Sequence, residues 1–254
     1  MTTFCRFWRK HLFIFCISLV DWLHHIDLGT YMNTLVNNFA VSELPSLLTI
    51  ENGEKVSATF SLSEYQNRQS KLRQLMEELE IDHVLFSSIH NINYYADFIY
   101  CSFGRFYGLV VSPEKVVTIS ANIDAGQPWR RTVGDYNVVY TDWQRDNYFK
   151  AVAQEIPNRG RVGIEFDHLP LERLNKLKTV LPNVQFVDIS AACMKLRMIK
   201  SAEEIAHITQ GAAVCDIGGF AVTAAIREGV PEHEVALAST QAMVREIAKR
   251  FPNS

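Results

Sequence analysis

The sequence lacks most of what would organise a cross-linked or strongly charged protein. Five cysteines, at positions 5, 16, 101, 193 and 215, are spread over 254 residues. Their number is odd and no pair has CxxC or Cys/His ligand spacing, which argues against a disulfide framework or a structural zinc and for a reducing, cytoplasmic setting. No excess of one charge exists either. Lys and Arg number 25 against 28 Asp and Glu, a net charge of -3. That balance gives no broad electrostatic footprint for nucleic acid or an anionic membrane. The apolar run Leu12–Val20 is nine residues long, whereas a membrane-spanning helix needs about twenty. The nucleophile elbow GxSxG, the phosphate loop GxxxxGK and the zinc helix motif HExxH are all missing. No self-contained catalytic centre, metal site or cofactor site is therefore expected.

What is present is an ordinary folding composition, 48% apolar and 21% charged, long enough for one large or two modest domains. The first 47 residues stand apart. Arg6, Arg9 and Lys10 precede Leu12–Val20 in the manner of a signal peptide, but no small-x-small cleavage site follows, and Met32 offers a second start. An extension or disordered tail, a weak targeting segment and a structural piece all remain open for this stretch.

From residue 48 strands and helices alternate. Ser61 and Glu64 are spaced as a capping box, and Tyr65, Leu72, Leu75, Met76 and Leu79 keep one helical face apolar. Strands are expected at 83–88, on either side of a turn at Pro113, and at 137–141, 161–166 and 184–190. Helices at about 145–155 and 170–180 alternate with them, which predicts an α/β layer fold. After Met198 only helix remains. Ser201 caps a segment with Glu203 and Glu204 in its first turn. Ile205, Ile208, Ala212, Cys215, Gly219, Val222 and Ile226 then form an apolar stripe. A second helix follows the breaker "REGVP".

Several clusters invite a chemical reading. "GIEFDHLP" brings together Glu165, Asp167 and His168 at a strand end, where α/β folds often place chemistry. Neighbouring strand residues point to opposite faces, however, and Asp167 with Pro170 also resembles a helix start. Trp129, Arg130, Arg131, Trp143 and Arg145 could stack on single-stranded nucleic acid. The interleaved Asp135, Asp142 and Asp146 favour packing and surface ion pairs instead. His207 and His233 have no second ligand at useful spacing. In "FIYCSFGRFYGLVV", Phe98–Val111, the single charge is Arg105. It either sits at an edge and reaches water or is held in place to meet an anion, because an unpaired buried guanidinium is costly.

Four strings read together carry a resemblance: "HNINYYADFIYCSFGR" (90–105), "ISANIDAGQPWRRTVGD" (119–135), "VYTDWQRDNYF" (139–149) and "CMKLRMIKSAEE" (193–204). They resemble the creatinases over about Glu51 to Ala248. The last string is shared more widely with the pita-bread relatives aminopeptidase P and prolidase. The resemblance implies a creatinase-type N-terminal α/β domain at 48–195, a mixed sheet flanked by helices. It implies that 200–254 match only the opening helices of an incomplete pita-bread catalytic domain. The family hydrolyses creatine to sarcosine and urea without a metal, and its catalytic histidine and guanidino-binding glutamates have no counterpart here. A truncated creatinase-like protein, inactive alone, is therefore expected, with no catalytic residue and no cofactor of its own.

In the creatinases the active site forms between two subunits of a homodimer. The matching positions, Phe103 and Arg105, would enter the partner's pocket, with Arg105 meeting the carboxylate of creatine or a similar guanidino acid. Two other readings stay open. The chain could be a non-catalytic dimerisation or regulatory module that pairs with a full-length relative. It could also be a fragment of an aminopeptidase P or prolidase-like metallopeptidase.

Overall fold

The structure, a computed structural model, describes residues 45–98, 104–124 and 126–252. The stretch 1–44, read above as extension, targeting segment or structural piece, lies outside the described residues, as does Phe103.

Seven strands form one sheet: β1 (Leu47–Ile50), β2 (His83–Phe86), β3 (Gly108–Val111), β4 (Val116–Ala121), β5 (Tyr136–Tyr140), β6 (Arg161–Ile164) and β7 (Gln185–Asp188). Their order is β1-β5-β4-β3-β2-β6-β7. The β1–β5, β2–β3 and β3–β4 pairs are antiparallel, whereas β2–β6, β4–β5 and β6–β7 are parallel. This is the expected mixed sheet. The helices among the described residues are α1 (Leu62–Glu78), α2 (Ile89–Ala96), α3 (Gln127–Arg130), α4 (Asn147–Glu155), α5 (Leu171–Val180), α6 (Ser190–Met198), α7 (Ala202–Ala225) and α8 (Glu232–Arg250).

Period-two alternation divides the strand side chains between two cores. Leu85, Val110, Val117 and Ile164 join Phe149 and Val152 of α4 and Leu177 of α5 on one face. Val84, Phe86, Leu109, Val111 and Val116 join Leu72 and Met76 of α1, Ile92 of α2 and Cys193 of α6 on the other. Both faces are covered, so the central strands are buried throughout. Burial pushes the Cys193 thiol up to about 12, which leaves it an inert packing group.

The strands stop earlier than alternation suggests, for an electrostatic reason. β2 ends at Phe86 because the Ser87 and Ser88 amides turn to donate to Glu165 Oε2, at 2.7 and 2.9 Å. β6 ends at Ile164, just before that carboxylate. Ser190, expected in a strand, instead opens α6, where its amide and hydroxyl donate to Asp188 Oδ1 at 3.0 and 2.5 Å. Strand β1 and helices α2, α3 and α6 are additions to the elements that the sequence pattern predicts.

The predicted capping box of α1 forms only by half. The Glu64 amide donates to Ser61 Oγ at 3.2 Å, but the Glu64 carboxylate accepts from Arg68 Nε at 2.8 Å. The carboxylate that accepts from the Ser61 amide belongs to Glu203 of α7, at 2.9 Å. In α7 itself the box is complete, between Ser201 and Glu204.

α7 and α8 form a helical hairpin. A Cβ on Gly218 would lie 2.8 Å from Met243 Cγ and Sδ and 3.1 Å from Ser239 Oγ, so glycine sets how closely the two helices approach. The predicted stripe does not lie in that seam. Ile205, Ile208, Ala212, Cys215, Gly219 and Ile226 are exposed, and the buried apolar side of α7 is made by Val214 and Gly218. Among the described helices α7 is long and apolar enough to cross a membrane by length and composition. Its first turn is engaged by α1 and its Gly218 side by α8.

Candidate functional site

β3 runs antiparallel to β4, and β4 parallel to β5, so the start of β3 lies at the same end of the sheet as the ends of β4 and β5. Gly108 pairs with Ile119, and Ala121 with Tyr140. Gly104 and Arg105 stand just before β3 at that end. Gly104 has φ +75°, a left-handed conformation that favours glycine, and no neighbouring atom lies within 4 Å of where its Cβ would be. Its contribution within this chain is thus a backbone turn rather than relief of crowding.

The residues after Arg105 are fixed. The Phe106 amide donates to Tyr140 Oη at 3.0 Å. Burial pushes the Tyr140 hydroxyl up to about 12, so it stays protonated at neutral pH. The Phe106 ring meets Tyr148 and Phe149 edge-on, and the guanidinium groups of Arg145 and Arg173 lie over it at 4.7 and 3.9 Å. Tyr107 donates to Asp124 Oδ2 at 2.5 Å. Arg105, between a left-handed glycine and two anchored aromatics, keeps 36% of its side chain exposed. Its Nε faces Asp142 Oδ1 at 3.1 Å, as an ion pair that is not aligned as a hydrogen bond. Asp142 Oδ2 in turn accepts from the Ile123 amide at 2.8 Å.

The first reading of Arg105 holds, and its anion within the chain is Asp142. Arg105 lies at an end of the sheet, and it is also held. In the sequence Asp142 is only one of three interleaved acids. Nothing local joins it to Arg105, and only the strand order brings the end of β5 beside the start of β3.

The remaining candidates resolve into structural roles. Glu165 is buried and accepts from the Ser87 and Ser88 amides, from Ser88 Oγ, and from Asn91 Nδ2 at 2.7 Å. It ties β6 to the start of α2, and the exposed Asp167 and His168 do not join it in a metal cluster. The α5 helix begins after Pro170 with no side-chain cap, so Asp167 is not its capping residue. Among the tryptophan–arginine positions, Trp129 is buried beneath the Lys55 ammonium at 3.7 Å, Asp135 accepts from the Val116 amide, and Asp146 pairs with Lys176. His233 is exposed beside Glu234.

A second polar assembly, without a local signature in the sequence, joins α1 to α7. Arg68 is 2% exposed. Its Nε donates to Glu64, its Nη1 to the Tyr94 carbonyl at 3.0 Å, and its Nη2 lies 3.3 Å from Glu204 Oε1. Phe60 and Tyr94 lie on its guanidinium at 4.2 and 4.3 Å. The His207 ring meets Phe60 edge-on at 4.8 Å. The available signal is Arg68 itself, a charge three residues after Tyr65 and four before Leu72 on an otherwise apolar face.

Arg105 thus stands, partly exposed, at one end of the central strands of a mixed seven-stranded sheet. The Creatinase/Prolidase N-terminal domain family model matches residues 68–199, and the chain belongs to that family. Among its relatives, it is 52% identical over 219 residues to the creatinase of Bacillus sp. strain B-0618, covering 84% of this chain and 53% of the relative. A putative dipeptidase of Bacillus subtilis, YkvY, is 25% identical over 66% of this chain and 47% of its own. In fold the chain is similar to the prolidase of Thermococcus sibiricus, with TM-score 0.62 at 20% identity over 76% of this chain and 51% of that one. The Pyrococcus horikoshii prolidase gives 0.59 at 21% identity, over 71% and 49%. The chain thus spans about half the length of these relatives.

Proposed function

We propose that this chain supplies the substrate-positioning and dimerisation half of a creatine-hydrolysing site. In this reading Arg105 and Phe103 reach into the pocket of a second subunit, either another copy or a full-length relative. The observation that carries it is the guanidinium of Arg105, presented at the end of the sheet in a chain 52% identical to a creatinase. A guanidinium fork gives a carboxylate two parallel charge-assisted bonds, which fix orientation as well as adding energy. Bound there by its carboxylate, creatine would turn its guanidino carbon toward the partner. A histidine supplied outside this chain would assist attack of water, releasing sarcosine and urea. We place the protein in the cytoplasm as a soluble partner of a small guanidino acid.

The exposed apolar residues of α7 favour a second reading, a pairing module that completes or blocks a relative's site without chemistry of its own. One experiment separates the two. The purified chain alone should release no urea from creatine above background. Mixed with a full-length creatinase whose matching arginine has been replaced, it should restore urea release. Further loss of activity on mixing would support the blocking module, and urea release by the chain alone would overturn the half-site.

A further inference from the structure

We infer that Asp142 is the positioning residue for Arg105, holding its guanidinium so that the Nη1/Nη2 edge faces outward to take a carboxylate end-on. This rests on the proposed role of Arg105 and adds how that role is built. A free arginine at the end of a sheet samples many rotamers, and ordering it on binding costs affinity. Here one edge of the group is already occupied. Nε and Asp142 Oδ1 approach to 3.1 Å and are both closed to solvent, while the side chain as a whole is 36% exposed. The exposed part therefore lies away from Nε. Among the described residues no second anion pairs with Arg105.

Asp142 can act this way because it is held in turn. Its other oxygen accepts from the Ile123 amide at 2.8 Å, in the turn that follows β4. The carboxylate thus bridges the end of β4 and the start of β3, which places Arg105 relative to the sheet rather than to its own loop. Asp142 also partly neutralises the guanidinium, which lowers the cost of its partial burial.

The test combines exchange and kinetics. In the full chain, the Arg105 Nε–H proton should exchange with water several-fold faster in Asp142→Ala than in the unaltered protein. Asp142→Asn keeps one oxygen and sets an amide NH2 against the other donor, so its exchange should fall between that of Asp142→Ala and that of the unaltered protein. In the site rebuilt with a full-length relative, Asp142→Ala should lower kcat/KM for creatine about tenfold, since small misplacements of a binding group cost that much or more. Asp142→Asn, with one oxygen and no charge, should recover only part of the loss, and Asp142→Ala should add nothing to an Arg105→Lys variant. Unchanged Nε–H exchange in Asp142→Ala would overturn the inference. So would an equal loss of kcat/KM whether Asp142→Ala is made alone or on top of Arg105→Lys, the pattern of a merely structural aspartate. If Arg105→Lys itself leaves kcat/KM unaltered, the creatine reading fails, and the exchange measurement still decides whether Asp142 holds Arg105.

Discussion

The sheet domain and the α7–α8 hairpin are built from similarly apolar sequence and reach opposite ends of burial. In the sheet domain, both faces of the central strands are covered by helices, and Leu72, Phe86, Leu109 and Ile119 are closed to solvent. In the hairpin, only Glu204, Val214 and Gly218 of α7 are buried, and no residue of α8 is. Ile208, Phe220 and Ile226 stand more than half exposed. Apolar composition thus measures a capacity for burial. Whether that capacity is used depends on which elements pack against it. The exposed apolar residues are spread around α7 rather than gathered on one side, because Ile208 and Phe220 lie twelve residues apart.

The contrast is sharpest in a matched pair of phenylalanines. Phe86→Ala should destabilise the chain by about 3–5 kcal/mol, the usual cost of emptying a closed core site. Phe220→Ala should stay within about 0.5 kcal/mol. Urea unfolding followed by far-UV circular dichroism checks both. A large loss at Phe220 would show that this part of the hairpin is covered within the chain.

The exposed apolar residues of α7 should make the chain self-associate in sedimentation velocity. Replacing Ile208 and Phe220 together by serine should shift it toward monomer without altering the helical signal. A monodisperse monomer of the unaltered chain would contradict this.

A smaller effect concerns the junction between the two regions. Hydrogen bonds from the Ser61 hydroxyl and amide hold the Glu203 carboxyl below the ordinary glutamate value of about 4.3. A carboxylate with depressed folded pKa stabilises at pH above its unfolded value, and that contribution is lost as pH falls through the folded value. The Ser61 amide signal should therefore titrate below the ordinary glutamate value as α7 loosens from α1, and Glu203→Gln should abolish that transition. Titration at the ordinary value would mean the contact does not persist in solution.

Much of the sheet is legible in the sequence because its residues form short apolar runs between turn signals, as from Val116 to Ala121. Strand ends are not, because they are set by pairs distant in sequence, such as Ser88 with Glu165. The same limit applies at the site. Arg105 is visible as a lone charge among apolar residues, whereas Asp142 becomes its partner only through sheet order. Ser61 and Glu203 are a third example. Their spacing of 142 residues hides a capping interaction that local rules assign to Glu64. The hairpin stripe shows the converse, since regular spacing identifies a helix but points to the wrong face of it.

The central claim, that Arg105 serves a partner's ligand more than its own fold, is tested most directly by Arg105→Lys. Melting temperature of the chain and kcat/KM for creatine in the rebuilt site should be measured on the same variant. A lysine keeps the charge but not the fork. With charge-assisted bonds worth about 1.5–3 kcal/mol, kcat/KM should fall roughly ten- to a hundredfold while the melting temperature stays within about a degree of the unaltered protein. A lowered melting temperature with unaltered kcat/KM would contradict the account and leave Arg105 as a structural ion-pair residue at the end of the sheet.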